Sequence, residues 1–212
     1  MMQIIVLTNE SLKEELLSHG TQPGAELVFI SNINEFSAYP NASAFIDLLF
    51  ENKKERVQIL ESLLPATVII NSVEHRLTET NSSFIRINGW NTFLQSAIIE
   101  ASASEENKQN AETVLDQFNK KIEWLPDETG FVTPRVISAI INEAFISLEE
   151  GVSTKEEINT AMKLGTNYPY GPFEWAEKIG VKNVMALLQK LSTTQERYKP
   201  ANLLMQEASK VI

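Results

Sequence analysis

Apolar and polar positions along the first 125 residues form short blocks that predict strands and helices in turn. Runs of apolar, often β-branched residues predict buried strands. These runs are Gln3–Leu7, Glu26–Ile30, Ala44–Phe50, Thr67–Ile70, Phe84–Ile87, Ala97–Ala101 and Ile122–Trp124. Helical spacing is found at Glu10–His19, Lys53–Leu64 and Glu105–Lys120. This alternation predicts a mostly parallel sheet covered on both faces, so residues 1–125 are expected to form a shortened Rossmann-like α/β domain.

Beyond residue 125 the pattern is helical throughout. Pro134 is placed to open a helix in its first turn. Thr154 and Glu157 have capping-box spacing for a second helix, which ends at Gly165. Three further helices are predicted at Pro172–Gly180, Val181–Leu191 and Ala201–Val211. Residues 126–212 are therefore expected to form a separate, all-helical domain.

The composition narrows the classes of function. The 212 residues include no cysteine, and 28 acidic against 18 basic side chains give a net charge of −10. Without cysteine there is no thiolate metal site or Cys nucleophile, and we expect a cytoplasmic protein that holds no metal. The negative charge argues against nucleic acid or an anionic membrane as the main partner. No apolar run approaches the ~20 residues that span a bilayer, and the start lacks the basic region of a signal peptide.

One stretch of the second half, residues 127–180, is dense in glycine and proline. It begins D-E-T-G-F-V-T-P-R and ends in Y-P-Y-G-P-F-E-W-A-E-K-I-G. These segments resemble the D-x-x-G-F-x-x-N-R and P-x-G-P-F-E of the C-terminal domain of 3-hydroxyacyl-CoA dehydrogenases, and the resemblance extends over about 127–204. It implies a dinucleotide-binding domain followed by a helical 3-hydroxyacyl-CoA dehydrogenase C-terminal-like domain. It also implies a homodimer formed through the C-terminal helices.

The first half carries shorter matches to the same family. R-I-N-G-W-N-T-F lies where the family has R-x-x-G-x-H-F-F, and I-I-E-A lies where it has L-V-E-V. A-F-I-D-L-L-F-E resembles the strand before the acidic turn of the family. The family transfers a hydride between NAD and the third carbon of an acyl-CoA. The resemblance therefore implies an oxidoreductase family of fatty-acid metabolism and an acyl-CoA-like ligand.

The resemblance also implies a site whose key side chains have changed. The family uses a His base oriented by a Glu, and these positions fall on Asn91 and Glu100. Its substrate-binding Asn falls on Pro134, and the last Ser of its N-T-S-S loop falls on Glu74. An amide does not accept a proton near neutral pH. His75 is either a substitute base or a solvated loop histidine, and Glu100 is either a catalytic remnant or a strand-end charge.

The expected cofactor turn departs from the family as well. Where the family has G-x-G-x-x-G after the first strand, this chain has Thr8-Asn9-Glu10-Ser11-Leu12-Lys13. Side chains at these positions would block the approach of a pyrophosphate to the helix start. The acidic ribose-binding residue expected after the second strand is replaced by Ser31 and Asn32. NAD is therefore expected as a cofactor only if the family activity survives.

Two functions remain open at this point. The leading hypothesis is a pseudoenzyme: a family member that has lost dehydrogenase chemistry and acts as a dimeric binding or regulatory module. The alternative is an active NAD-dependent dehydrogenase of the 3-hydroxybutyryl-CoA type, in fatty-acid metabolism, with a rebuilt site. Turnover of acetoacetyl-CoA with NADH distinguishes the two hypotheses.

Overall fold

The chain separates into two compact units, Met1–Phe131 and Val132–Ile212. The structure is a computed structural model that describes residues 1–210, so Val211, the predicted end of the last helix, lies outside the described residues. The division falls a few residues beyond the boundary expected at 125/126, because the intervening segment folds back onto the first unit. In the described part of the chain, no helix is both long and apolar enough to cross a membrane.

The first unit is an α/β unit built on one seven-stranded sheet. Its strands are β1 (Met2–Leu7), β2 (Ala25–Ile30), β3 (Ala44–Asp47), β4 (Thr67–Asn71), β5 (Ile85–Ile87), β6 (Ile98–Ser102) and β7 (Lys121–Trp124). Its α-helices are α1 (Glu10–Leu16), α2 (Lys54–Glu61) and α3 (Glu105–Asp116). The strand order is β2-β1-β3-β4-β5-β6-β7, and only the β5–β6 pair is antiparallel. The predicted mostly parallel α/β sheet is confirmed.

Successive residues of the strands enter two separate apolar clusters, as expected when side chains alternate between the faces of a sheet. Ile4 and Val6 of β1 belong to the cluster that contains Phe118, while Ile5 and Leu7 belong to the cluster that contains Phe36. Burial of each such side chain contributes about 1.5–3 kcal/mol. The sheet is therefore covered on both faces, which explains why its strands are apolar runs rather than alternating ones.

Several elements differ in length from the prediction. The strand expected at 44–50 stops at Asp47, whose carboxylate accepts from Leu49 N (3.1 Å) and is paired with Arg56 (2.6 Å). The helix expected to reach Lys120 ends at Asp116 and is followed by Asn119 in the left-handed region, with φ +53°. The helix expected at 10–19 ends at residue 16, and the predicted loop at 31–43 contains a short 3₁₀ helix, Ile33–Ala38.

The second unit is a helical unit. Its helices are α4 (Thr133–Glu149), α5 (Lys155–Thr166), α6 (Pro172–Ile179), α7 (Val181–Ser192) and α8 (Asn202–Lys210). The buried Pro134 lies in the first turn of α4, as predicted. Thr154 and Glu157 form the predicted capping box of α5. A Cβ at Gly171 would lie 2.3 Å from Asn159 Oδ1, so the absence of a side chain there lets α5 and α6 meet.

A fully buried arginine holds the end of the α/β unit to its sheet. Arg86 on β5 is 0% exposed, and its Nη1 donates to Asp127 Oδ1 (2.8 Å) while Nη2 donates to Glu128 O (2.9 Å). Its guanidinium carbon lies 4.0 Å from the ring centroid of Phe131. Asp127 also accepts from Leu77 N (2.9 Å). The R-I-N-G and D-E-T-G-F segments are thus the two halves of one buried contact.

Replacement of Asp127 by Asn tests this contact. The change keeps an acceptor for Leu77 N but leaves the buried guanidinium without its counter-charge, so we expect Asp127→Asn to lower the free energy of unfolding by about 3 kcal/mol. Asp116→Asn, an exposed change of the same kind on α3, should cost less than about 0.5 kcal/mol. Urea unfolding measures both. Equal losses in the two variants would show that Arg86 does not need the carboxylate.

Candidate functional site

The carboxyl ends of β1, β3, β4 and β5 lie at one edge of the sheet, and the strand order reverses between β1 and β3. This is the edge where open α/β sheets bind ligands. Most of the site residues predicted in this unit follow these strands or the neighbouring β2. They are Thr8 and Asn9 after β1, Ser31 after β2, Glu74 and His75 after β4, and Asn91 after β5. We therefore treat this edge as the candidate site.

At the start of α1, a side chain of the preceding turn bonds to a backbone N–H of the helix. Asn9 is the N-cap, and its Oδ1 accepts from Leu12 N at 2.9 Å. The hydroxyl of the buried Thr8 donates to Asn9 O at 3.0 Å. Glu10 adds a carboxylate in the first turn, where the helix dipole favours negative charge. One of the backbone N–H groups at the start of α1, that of Leu12, is therefore already paired within the chain.

The turn after β2 is likewise paired internally. The backbone N–H groups of Ser31 and Asn32 donate to Glu35 Oε1, at 3.3 and 2.9 Å. Asn32 Oδ1 in turn accepts from Asn34 N at 2.9 Å and so begins the 3₁₀ helix. An acidic residue is therefore present at this turn, but it is Glu35 and it serves as a cap. Sequence reasoning missed it, although the Asn32–Glu35 spacing is a capping-box signal.

One amide joins the ends of three strands. Asn71 Nδ2 donates to Leu48 O and to Gly89 O, both at 3.1 Å, and Asn71 Oδ1 accepts from Gly89 N at 2.9 Å. A Cβ at Gly89 would lie 2.9 Å from Asn71 Cγ, so this approach requires glycine. Sequence reasoning missed this role of Asn71. Its partners are distant in the chain, and a lone Asn in a loop gives no signal of it.

Glu100 of β6 is engaged by a second asparagine. The side chain of Asn88, 3% exposed, donates from Nδ2 to Glu100 Oε2 at 3.1 Å, and Asn88 N donates to Glu100 O at 2.9 Å. Asn88 Oδ1 accepts from Trp90 N at 3.4 Å. The amide of Asn88 and the carboxylate of Glu100 are therefore a bonded pair at the end of β5. Glu100 is the central residue of β6 and is half-buried, so the expected strand-end position is wrong, while the catalytic interpretation of Glu100 stays a prediction.

Glu15 of α1 holds the turn that contains Asn91. Thr92 N donates to both carboxylate oxygens of Glu15, at 2.8 and 2.9 Å. Thr92 has φ +79°, an uncommon conformation for a β-branched residue. Asn91 is half-buried and Trp90 is buried. Asn91, to which the sequence resemblance assigns the family base, thus lies in a turn held by Glu15, and its assignment stays a prediction.

Lys120 is a buried cation that sequence reasoning also missed. Its side chain is almost fully buried, and Nζ donates to Leu94 O (2.8 Å), Ser96 O (3.0 Å), Ser18 Oγ (3.2 Å) and Glu15 O (3.3 Å). Burial lowers the pKa of Lys120 to about 8, and the charge of Glu15 opposes this shift. One ammonium group thereby joins the end of α1 to the loop between β5 and β6.

The remaining predicted residues are placed separately. Glu74 and His75 are half-buried in the loop after β4, where the Ser72 hydroxyl donates to His75 O at 2.9 Å. Pro134 belongs to the helical unit. Within residues 1–210 there is no group of three or more His, Cys, Asp or Glu side chains that could hold a metal ion. The edge therefore carries amide and carboxylate side chains that are mostly bonded to backbone groups of the same unit.

Comparisons of the sequence and of the structure with known proteins both find 3-hydroxyacyl-CoA dehydrogenases. A model of the 3-hydroxyacyl-CoA dehydrogenase C-terminal domain matches residues 130–210. A 3-hydroxyadipyl-CoA dehydrogenase of Escherichia coli K12 is 41% identical over 96 residues, which are 44% of this chain and 20% of that protein. A 3-hydroxybutyryl-CoA dehydrogenase of Clostridioides difficile is 27% identical over 199 residues, 87% of this chain and 67% of that protein. A crystal structure of (S)-3-hydroxybutyryl-CoA dehydrogenase from Ralstonia eutropha has a TM-score of 0.74 at 20% identity, and the match covers 99% of this chain and 94% of that one.

The fold is that of a two-unit dehydrogenase, with a parallel α/β unit followed by a helical unit. Residues 130–210 belong to the 3-hydroxyacyl-CoA dehydrogenase C-terminal domain family, and the sequence match to a dehydrogenase of this family extends over 87% of the chain. The resemblance drawn from the glycine and proline positions is thereby confirmed. The chain spans a fifth of the length of the E. coli relative and about two thirds of that of the C. difficile relative.

Gly89 provides a test of the amide that joins the strand ends. A methyl group at this position would contact Asn71 and displace its amide, so Gly89→Ala should lower the free energy of unfolding by about 2 kcal/mol. Gly24→Ala is the matched control in the same unit, because the nearest atom to its Cβ would lie at 3.7 Å. Urea unfolding should show a change within about 0.5 kcal/mol for that control. If Gly89→Ala changes the free energy of unfolding as little as the control does, the fold does not require the close approach of Gly89 to Asn71.

Lys120 predicts a pH dependence of stability. Its proton is lost at about pH 8 in the folded chain but is retained up to the ordinary value of 10.5 in the unfolded chain. Because the unfolded state then binds more protons, the free energy of unfolding should rise with pH between these values, by up to about 3 kcal/mol. Urea unfolding of the wild type and of Lys120→Met across this window measures the difference. If the free energies of unfolding of the two proteins change in parallel with pH, the lowered pKa of the buried Lys120 is contradicted.

Proposed function

We propose that this member of the family has lost the dehydrogenase reaction and serves as a dimeric binding or regulatory module. The observation that carries the proposal is the N-cap hydrogen bond at the start of α1. Asn9 accepts the Leu12 N–H at the turn where a glycine-rich loop would present free N–H groups to a pyrophosphate. Backbone groups that are paired within the chain are poor donors for a cofactor, so we propose no bound NAD.

The position of the family base supports the same proposal. Asn91 has no titratable group, and loss of a general base commonly costs ~10²–10⁴ in rate. Glu100, the residue that would orient the base, accepts a hydrogen bond from the side chain of Asn88. His75 lies in the loop after β4, where the Ser72 hydroxyl donates to its backbone carbonyl. Together these features support a site that does not oxidise or reduce an acyl-CoA-like ligand.

The association part of the proposal rests on the helical unit. Large apolar side chains are exposed there at Val136 (50%), Val152 (69%) and Leu164 (83%). A second copy of the chain that covered these side chains would remove apolar surface from water, which favours association. A second copy of the chain is the partner that the family resemblance implies. The cytoplasmic location expected from the cysteine-free composition stays a prediction.

An absorbance assay tests the proposal. The purified chain is mixed with NADH and acetoacetyl-CoA, and the nicotinamide band is followed beside an active family dehydrogenase. We expect no oxidation above the buffer rate and no saturable binding of NADH by fluorescence titration. Clear turnover that is lost in Glu100→Gln would establish the alternative, an active dehydrogenase of the 3-hydroxybutyryl-CoA type with a rebuilt site.

Sedimentation of the same preparation tests association independently of chemistry. We expect the mass of a dimer, and we expect Leu164→Glu or Val136→Glu to shift the equilibrium towards the monomer. Each of these changes places a charge on an exposed apolar position without altering the core. A wild-type chain that sediments as a monomer at micromolar concentration would remove the dimer from the proposal.

A further inference from the structure

A cavity of about 350 Å³ lies within the helical unit and is lined from all five of its helices. Phe145 of α4 and Phe173 of α6 belong to the lining, with their rings in edge-to-face contact at 4.9 Å between centroids. Asn159 of α5 also lines it and accepts from Phe173 N at 3.0 Å, which fixes the start of α6. The cavity therefore has a rigid aromatic floor.

A cation already occupies this floor. The ammonium group of Lys155 lies 5.6 Å from the centroid of Phe145 and 5.3 Å from that of Phe173, both within the range of a cation–π interaction. The same ammonium group is paired with Glu207 of α8. Phe145 is 1% exposed and Phe173 is 9% exposed, so a ligand cation that stacks on these rings would have to take the place of the Lys155 ammonium group. Lys155 is 38% exposed and extends from the first residue of α5, which leaves room for that displacement.

The charges around the cavity favour a cation over an anion. Four glutamates and one lysine contribute to the lining. Glu174 is bonded to Lys163 at 2.5 Å and accepts from Gly171 N at 2.8 Å, and these bonds lower its pKa. In the part of the chain that the structure describes, Glu156 and Glu177 are in no ion pair. Two carboxylates are thus available to a ligand above an aromatic surface that accepts positive charge.

We propose that this cavity binds an arginine side chain of a partner protein, which displaces Lys155 from the two rings. A guanidinium group is planar, stacks on aromatic faces and can reach two carboxylates at once, whereas an ammonium group is a compact point charge. An arginine side chain therefore interacts more favourably than Lys155 with the rings of Phe145 and Phe173. The displaced Lys155 keeps carboxylate partners within the cavity. This inference is independent of whether the α/β unit retains any chemistry.

Nuclear magnetic resonance of the full chain tests the site with a small probe. The probe is N-acetyl-arginine methylamide, and its neutral counterpart is N-acetyl-citrulline methylamide, which has nearly the same shape without the charge. We expect saturable shifts of the Asn159 and Glu177 amide signals with the arginine probe at millimolar concentration. The citrulline probe should produce none, and added salt should weaken the arginine response.

Two variants separate the proposed contacts from general attraction to an acidic chain. Glu177→Gln should weaken binding about two- to fivefold, as expected for an exposed ion pair. Glu196→Gln, which makes the same charge change at an exposed position in the same unit, should leave it unchanged. Lys155→Ala should tighten binding, because the competing ammonium group is removed.

Several results would overturn the proposal. They are equal responses to the two probes, equal losses in Glu177→Gln and Glu196→Gln, and weaker binding in folded Lys155→Ala. Circular dichroism establishes that each variant is folded. Shifts that depend on the concentration of the protein rather than that of the probe would assign the cavity to contact with a second copy and would also exclude the arginine site.

Discussion

The burial of Arg86 is the constraint on which the architecture of the α/β unit depends. A guanidinium group without solvent must be paired, and the arrangement that pairs it brings Asp127 and Phe131 back to β5 from 41 or more residues along the chain. Gly130, at φ +84°, and Phe131, at φ +47°, allow the chain to make that turn. The α/β unit consequently ends at Phe131, after its last strand, and the helical unit begins only once this contact is complete.

The same principle of internal pairing organises the candidate site. Asn9, Asn71 and Asn88 each use their amide to satisfy groups of this chain, at the start of α1, at the ends of three strands and at Glu100. Lys120 does the same for four oxygen atoms around the loop after β5. A crevice built to receive a charged cofactor needs free donors that point into it. Here the donors with known partners point back into the protein, so the edge is stabilised as a structure in its own right.

Local signals made most of the fold predictable, and distant pairings account for what was missed. Strand runs, the capping box at Thr154 and the proline at the start of α4 depend on neighbours a few residues apart, and they were read correctly. Asp47 shortened its strand because Arg56 turned its carboxylate inward. The pairing of Arg86 with Asp127 spans 41 residues, and Lys120 reaches Glu15 across 105. No periodicity in a single sequence reports such contacts. The assignment of Asn91 to the position of the family base rests on a local match, whereas the turn around it depends on the distant Glu15.

Substitutions in the two units differ in their effect on the stability of the fold. In the helical unit, Gly171 and Pro134 serve the packing and the starts of helices, so their replacement would destabilise the fold itself. At the sheet edge, an imidazole base contributes to turnover but little to folding, because the half-buried turn is held by the bond from the Thr92 backbone N–H to the Glu15 carboxylate. An asparagine fits that turn without desolvating a charge. A chain can therefore lose the groups of a hydride-transfer site one by one while every interaction that maintains its two units stays in place.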